Sequence, residues 1–209
     1  MNAVYIYYTP DWQPLADIVL PKVEAYCGKH GYCYSPVKQL FVGNVGLYKM
    51  FLLQDRLYMF ETIWILDLDT LITNPSIPFA QFTDNEHDIF ITEDIHGINA
   101  GSWIIRNTEA ARLFVRTVIN NFDAPEEQTV MKRYLDMVKV KILPHPSINS
   151  YKYELYKDIL KDELGETVIS HEEGQWQPGD LLLHLPGLDM QTRINTFLYY
   201  ESNPADNNV

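Results

Sequence analysis

Two aspartates directly follow a short apolar run, Ile-Trp-Ile-Leu, at residues 63–66. Such a run predicts a buried strand, so Asp67 and Asp69 lie at its carboxyl end. Side chains alternate along extended chain, and both carboxylates are therefore expected on one side. Open α/β sheets bind ligands at this end of their strands, where paired carboxylates suit Mg²⁺ or Mn²⁺ holding a diphosphate. A simple turn or helix cap fits the bare Asp-X-Asp motif equally well.

The segments before this motif alternate between strand and helix patterns. Runs rich in β-formers end at turn residues, and apolar residues between them recur at helical spacing. The predicted strand, helix, strand and helix cover residues 3–8, 12–30, 32–37 and 45–60. With the strand before Asp67, this order predicts a parallel, doubly wound sheet. Pro21 is expected to break or kink the first helix.

The second half of the chain predicts a more mixed order of elements. Two strands, two helices and two strands are predicted at residues 88–92, 102–106, 108–121, 125–138, 139–143 and 180–185. Neither a linker-like stretch nor an internal repeat interrupts them. We therefore expect one α/β domain over residues 1–200, with a mixed central sheet flanked by helices, and a flexible tail over residues 201–209.

The charge balance restricts the partners of the chain. A net charge of −12 and a sequence pI of about 4.8 argue against nucleic-acid binding, because phosphate backbones require clustered Lys and Arg. An anionic substrate would need a bridging cation. No run approaches the roughly 20 apolar residues of a membrane span. Cys27 and Cys33 match neither a metal-ligand spacing nor a disulfide framework, which favours a reducing compartment.

Six segments form an ordered series that resembles a known enzyme family. They are His30-Gly31-Tyr32, Lys49, residues 64–69, residues 98–107 (Ile-Asn-Ala-Gly-Ser-Trp-Ile-Ile-Arg-Asn), Glu127-Gln128 and residues 180–187 (Asp-Leu-Leu-Leu-His-Leu-Pro-Gly). Together they resemble the retaining nucleotide-sugar transferases of the GT-A fold, most closely glycosyltransferase family 34. The resemblance implies a metal-dependent transferase that moves a sugar from a nucleoside diphosphate sugar to a hydroxyl of a glycan acceptor. UDP is the nucleotide that the family leads us to expect, with GDP as the alternative.

The resemblance implies a site for Mn²⁺, or for Mg²⁺. Asp69 would bind the ion through its carboxylate and His184 through an imidazole nitrogen, with donor diphosphate oxygens completing the shell. Asp67 is a third candidate ligand, although in the resemblance it lies nearer the ribose and the donor sugar. A single histidine after an apolar strand more often packs in a core, but Gly187 three residues later favours the ligand role.

Other positions, including Gly187, are implied to bind the donor. Tyr8 and Thr9 end the first predicted strand, where this fold receives the nucleobase. Lys49 either reaches a phosphate or is a solvated helix lysine. The segment Asn99-Ala100-Gly101 suits close approach of a sugar, because Gly101 lacks a Cβ and Asn99 offers an amide.

One departure from the family pattern concerns the diphosphate. Related enzymes often carry a lysine three residues after the glycine of the late motif, whereas here Met190 stands three residues after Gly187. The next cation is Arg193. Either Arg193 replaces that lysine, or diphosphate binding depends more strongly on the metal.

Three residues are implied to act at the reacting sugar. Gln128 would face the anomeric carbon, Glu127 would help to hold donor or acceptor, and Asp94 would bind sugar hydroxyls. An amide is a poor nucleophile compared with a carboxylate. A same-face displacement is therefore the expected retaining mechanism, with the departing phosphate oxygen taking the proton of the acceptor.

Two other functions fit parts of the sequence. Residues 65–72 also match the first motif of haloacid-dehalogenase-type, Mg²⁺-dependent phosphatases, with Asp67 as nucleophile. Here, however, the motif follows the third predicted strand instead of the first, and His184 stands where a second acidic pair is needed. The other alternative is a catalytically inactive module that binds sugar nucleotides. The Golgi anchor of eukaryotic relatives is missing, so we expect a cytoplasmic enzyme of viral, phage or bacterial type, or a soluble chain lacking its anchor.

Overall fold

A computed structural model of the protein describes residues 1–40, 43–94, 96–156 and 174–203. Within these ranges nine strands and five α-helices are assigned, joined by short 3-10 turns. The strands are β1 Asn2–Tyr8, β2 Cys33–Lys38, β3 Thr62–Leu66, β4 Thr70–Ile72, β5 Ile89–Asp94, β6 Gly97–Arg106, β7 Val140–Leu143, β8 Ser150–Tyr151 and β9 Leu182–His184. The helices are α1 Gln13–His30, α2 Val45–Leu57, α3 Glu109–Asn120, α4 Glu127–Lys132 and α5 Met190–Ser202.

The main sheet has six strands in the order β2-β1-β3-β6-β5-β7. β1, β2, β3, β5 and β7 share one direction, and β6 runs antiparallel between β3 and β5. The predicted β-α-β-α-β order of the first seventy residues is thus confirmed, and so is the mixed central sheet. The carboxyl ends of β1, β3 and β5 lie at one edge, where β6 begins.

A second sheet of three strands, β4-β9-β8, was not predicted from the sequence. β4 pairs antiparallel with β9, placing Thr70 opposite His184, and β8 runs parallel to β9. The strands are only two or three residues long, and so short an element leaves no readable alternation. This small sheet joins the end of β3 to the late motif of the chain.

Alternate residues of each main strand face opposite sides of the sheet, and two apolar cores result. Val4 and Ile6 of β1 face a core formed with α1, α5 and the small sheet. Ala3 and Tyr5 face a second core formed with α2, α3 and α4. Helices therefore cover both faces, as burial of a largely parallel sheet requires.

The structure corrects several predicted details of the helices and strands. α1 runs unbroken through Pro21. Proline has no N–H, so the carbonyl of Asp17, one turn earlier, loses its hydrogen-bond donor. Both residues lie on the exposed side of the helix. The helix predicted at 125–138 ends at Lys132, where Arg133 and Tyr134 form tighter turn bonds. β6 begins at Gly97, five residues before the predicted start.

The carboxyl terminus differs slightly from expectation. α5 extends through Ser202, two residues into the segment predicted to be a tail, and residues 204–209 lie outside the described residues. None of the helices in the described part of the chain combines the length and the apolarity that crossing a membrane demands.

The buried side of α3 should contribute more to the stability of the protein than its exposed side. Phe114 is fully buried, whereas its neighbour Leu113 is 48% exposed. We expect Phe114→Ala to lower the free energy of unfolding by about 3–5 kcal/mol through lost burial and a new cavity. Leu113→Ala, the matched control, should change it by less than about 0.5 kcal/mol. Urea unfolding measures both, and equal losses would contradict the assigned face of α3.

Candidate active site

Sheet topology gathers the polar motifs at one edge. Tyr8 ends β1, Asp67 follows β3, Asp94 ends β5, and Asn99 lies near the start of the antiparallel strand β6. Ligands of open α/β sheets bind at this edge. The structure thus brings together four segments that are distant in sequence, as expected.

A bulge directs the Asn99-Ala100-Gly101 segment toward the end of β3. The β5–β6 register shifts after Ile91, and residues 100–102 have no partner on β5. Asp67 N instead donates a 2.7 Å hydrogen bond to Gly101 O. Extra residues of this kind re-aim a strand locally.

A cleft of about 370 Å³ lies over the carboxyl ends of β1 and β3. Its volume is within the range of small-molecule sites. The predicted donor residues Tyr8, Thr9, Lys49 and Asp67 line it, together with Asp69 and Glu127. Asp94, Asn99 and Gln128 lie outside these walls.

Lys49 is neither a solvated lysine nor free for a phosphate in this structure. Its ammonium lies 2.5 Å from Asp67 Oδ1 and 2.7 Å from Glu127 Oε1, and it donates at 3.3 Å to Ala100 O. The side chain is only 5% exposed. Burial alone would lower the pKa of Lys49, but the two carboxylates raise it above its ordinary value. Lys49 is therefore charged, and it joins α2, β3, β6 and α4.

Asp67 and Asp69 do not share one direction, contrary to expectation. The chain turns after β3, where the Thr70 amide and hydroxyl both bond to Asp67 O, so the period-two geometry of a strand ends. Asp67 faces Lys49, whereas Asp69 faces His184 and Arg193. Partial burial and the nearby carboxylates of Glu127 and Asp69 raise the pKa of Asp67, which Lys49 opposes.

Asp69 and His184 are adjacent because β4 and β9 pair directly after Asp69. Asp69 O accepts from Leu185 N at 2.9 Å, and the carboxylate Oδ1 lies 3.3 Å from His184 Nε2. Arg193 Nη2 lies 3.1 Å from Asp69 Oδ2. Burial tends to raise the pKa of Asp69, but His184 and Arg193 reverse this and lower it. Asp69 is thus an ionised carboxylate next to an imidazole.

This pair fits a divalent metal. Adjacent ligands of an octahedral ion with bonds of about 2.1 Å lie about 3.0 Å apart, close to the 3.3 Å between Asp69 Oδ1 and His184 Nε2. A carboxylate with an imidazole suits Mn²⁺. The described residues contain no group of three or more His, Cys, Asp or Glu that could hold a metal. The family resemblance implies that donor diphosphate oxygens would complete the shell.

Arg193, whose role the sequence left open, is buried. Its Nε donates to Leu185 O at 3.0 Å, and its guanidinium lies 4.9 Å from the ring centroid of Trp12. Its contact with Asp69 makes it a partner of that carboxylate. A direct contact with diphosphate stays a prediction.

Gln128 and Asp94 are fixed by contacts to the β6 segment. Gln128 Oε1 accepts from Ala100 N at 2.9 Å, which orients the amide. Asp94 Oδ2 accepts from Asn99 Nδ2 at 3.1 Å and from Tyr151 OH at 2.8 Å. The predicted sugar-side residues thus form one connected network around β6.

Gly187 lies away from the cleft walls. Its φ of 73° is in the left-handed region, which favours glycine, and it forms part of the turn between β9 and α5. This turn returns the chain so that Arg193 reaches Asp69. Contact of Gly187 with a donor stays a prediction.

Two residues of the site were missed from the sequence. Gly46 packs on Glu127, since a Cβ at Gly46 would lie 2.5 Å from Glu127 Oε2. Asn149, which is fully buried, bonds to His184. No motif marks either residue, because a lone Gly or Asn gains its meaning only from a neighbour distant in sequence.

Comparison with known proteins identifies the fold. No family model matches the chain, and no curated protein matches it in sequence. Among solved structures, it is similar to a glycosyltransferase involved in glycosylation of the major capsid of PBCV-1, with a TM-score of 0.73 and 17% identity over 95% of this chain and 98% of that one.

Two structures of the galactosyltransferase LgtC are also similar. A complex with donor and acceptor sugar analogues has a TM-score of 0.60 and 10% identity over 97% of this chain and 96% of LgtC. An active-site variant with glutamine changed to glutamate has a TM-score of 0.58 and 9% identity over 95% of each chain. The protein has the GT-A fold.

Gly101 should be essential for the position of His184. A Cβ at Gly101 would lie 2.4 Å from His184 Cε1 and 2.8 Å from Nε2, so the imidazole would have to move. We expect Gly101→Ala to weaken Mn²⁺ binding in the presence of UDP by about 10-fold or more. Gly28→Ala is the control, because nothing lies within 4 Å of its Cβ position. Electron paramagnetic resonance of free Mn²⁺ measures both, and unchanged affinity in Gly101→Ala would contradict the site.

Proposed function

We propose that this protein is a metal-dependent retaining glycosyltransferase. It moves a sugar from a nucleoside diphosphate sugar, with UDP as the expected nucleotide, to a hydroxyl of a glycan acceptor. The observation that carries the proposal is the Asp69–His184 pair beside the cleft at the carboxyl ends of β1 and β3. The GT-A fold and its resemblance to solved glycosyltransferases support the same activity.

The donor would occupy the cleft with its base near Tyr8 and Thr9. Asp69 and His184 would hold the ion, which, when bound, offsets the charge developing on the leaving nucleoside diphosphate. Arg193 holds Asp69 in place from the other carboxylate oxygen. The ion also explains how a chain of net charge −12 binds an anionic donor.

Lys49 holds the carboxylates that face the donor sugar. One ammonium holds both Asp67 and Glu127 and offsets part of the repulsion between these two acidic side chains. Asp67, Glu127 and Asp94 then offer acceptors for sugar hydroxyls. Such fixed groups favour one donor orientation.

The contacts of Gln128 favour a same-face displacement. Its Oε1 already accepts from Ala100 N, and an amide oxygen is a weak nucleophile. In the proposed step, the bond from the anomeric carbon to the diphosphate oxygen breaks, and its electron pair stays on that oxygen. The acceptor hydroxyl bonds to the carbon on the same face and gives its proton to the departing oxygen. LgtC, whose active site also contains a glutamine, supports a role for this residue type.

The phosphatase alternative is disfavoured. Asp67 Oδ1 is paired with Lys49, and the late strand supplies His184 instead of a second acidic pair. The chain also has the GT-A fold. An inactive binding module remains as an outcome of the experiment below.

The direct test is calorimetric titration of the metal-free protein with UDP, GDP and their sugars, with and without Mn²⁺, followed by a donor-turnover assay. Metal-dependent binding of one nucleotide with turnover of its sugar supports the proposal. Binding without turnover identifies an inactive module, and no binding overturns the proposal.

Removing either protein ligand should abolish metal-dependent turnover. We expect Asp69→Asn and His184→Ala each to reduce turnover by about 100-fold or more, the loss typical of removing one preorganised electrostatic group. Circular dichroism should be unchanged. Asp123→Asn, at an exposed carboxylate that pairs with Arg133, is the control and should retain full turnover. Full turnover in both variants would contradict the proposed roles of Asp69 and His184 as metal ligands.

Gln128 should matter for transfer more than for donor binding. We expect Gln128→Ala to lower kcat by at least about 10-fold while the donor Kd changes by less than about threefold. Thr129→Ala, at the exposed next position of α4, is the control. Steady-state kinetics and calorimetry measure the two effects, and equal losses in both would remove this role.

A further inference from the structure

His184 is held on the side of its ring opposite Asp69 by a buried amide. His184 Nδ1 lies 2.6 Å from Asn149 Oδ1, and Nε2 lies 3.3 Å from Asp69 Oδ1. Asn149 is fully buried and His184 is 2% exposed. Each ring nitrogen thus has one protein neighbour, and the location of the imidazole proton depends on which way the Asn149 amide faces.

Tyr151 fixes that orientation through its single proton. Tyr151 OH donates to Asp94 Oδ2 at 2.8 Å, a carboxylate that only accepts. The same phenolic oxygen accepts from Asn99 Nδ2 at 2.7 Å. It can therefore only accept from Asn149, whose Nδ2 lies 3.4 Å away. A flipped Asn149 would place its oxygen against this oxygen, with no proton between them.

The hydroxyl of Thr92, which can donate or accept, is compatible with the same orientation. Asn149 Nδ2 donates to Thr92 Oγ1 at 2.9 Å. Both amide hydrogens then have acceptors on one side, and Oδ1 is left to accept from His184. Buried polar groups need such partners, because an unmet donor or acceptor costs about 1–3 kcal/mol.

We infer that Asn149, backed by Tyr151, is a positioning residue that keeps the His184 proton on Nδ1. Nε2 then faces Asp69 and is the ring nitrogen left to bind a metal ion together with that carboxylate. A histidine ligand commonly donates its other N–H to an oxygen that sets its tautomer and orientation. The metal-binding part of this inference rests on the proposed function, whereas the tautomer does not.

A chain of hydrogen bonds links the metal side of the site to the sugar side. Asp94 accepts a hydrogen bond from Tyr151, Tyr151 orients Asn149, and Asn149 orients His184. Thus the carboxylate predicted to bind sugar hydroxyls also anchors the chain that presents the histidine ligand.

The tautomer can be read in the metal-free protein by nitrogen-15 NMR of labelled histidine. The spectrum is recorded at a pH of about 8.5, roughly two units above the ordinary histidine pKa of about 6.5, where a free imidazole is neutral. The chain has six histidines, and the His184→Gln variant assigns the signals of His184 by their loss. We expect a protonated Nδ1. An unprotonated Nδ1 would overturn the inference whatever the enzyme does.

Variants at position 149 separate positioning from general packing. Asn149→Leu removes the acceptor for Nδ1, so we expect the His184 proton to move to Nε2, the nitrogen that faces Asp69. The affinity for Mn²⁺ in the presence of UDP should then fall about 10- to 100-fold. Asn149→Asp keeps an acceptor for Nδ1, but its second oxygen would stand against the Tyr151 oxygen. We therefore expect this variant to retain the Nδ1 proton and to lose less Mn²⁺ affinity than Asn149→Leu. Ser150→Ala is the control, since this buried neighbour bonds to Pro146 and Asp180 and not to His184.

The outcomes distinguish this inference from the proposed function. Equal loss in Asn149→Leu and Asn149→Asp, or a wild-type tautomer in Asn149→Leu, would overturn the positioning role. If wild-type protein binds no Mn²⁺ but shows the Nδ1 proton, and Asn149→Leu loses it, the proposed function fails while the control of the tautomer by Asn149 stands.

Discussion

The buried ammonium of Lys49 is the interaction on which the cleft depends. It pairs with Asp67 after β3 and with Glu127 at the start of α4, and it contacts the backbone of Ala100 in β6. Two carboxylates drawn together in a partly dry cleft repel each other, and a shared cation offsets part of that repulsion. Removing one partner of a buried pair leaves an unpaired charge, which typically costs 3–5 kcal/mol. The acidic wall of the cleft is therefore inseparable from α2, the helix that supplies the lysine.

A second constraint acts on the other side of the Asp-X-Asp turn. The short sheet β4-β9-β8 sets Thr70 opposite His184, which brings Asp69 and the imidazole together. Each of these two groups has a further partner: Arg193 contacts the second oxygen of Asp69, and Asn149 contacts the second ring nitrogen of His184. Close contact with Gly101 limits the room for the imidazole. The geometry of the Asp69–His184 pair thus comes from a sheet of very short strands and not from the motif alone.

Much of the architecture could be predicted from particular residues. The alternation of apolar runs in the first seventy residues fixed the parallel strands, and Asp67, Asp69 and His184 stood out because each follows an apolar strand. Pro21 misled the prediction, since an exposed proline in a helix with a buried opposite side is tolerated. The helix predicted over residues 125–138 was too long, because Val130 and Met131 are buried at the point where the chain must turn toward β7.

The sequence by itself determined which chemical groups the protein carries and on which strand ends they lie, because periodicity and turn residues are local properties. Only the tertiary structure decided their partners. Lys49 could have been solvated, and the sequence left Arg193 as a candidate phosphate ligand. Their burial beside Asp67, Glu127 and Asp69 depends on the packing of α2, α4 and α5 against the sheet. Gly46 and Asn149 gain their roles from residues 81 and 35 positions away, which no local pattern records.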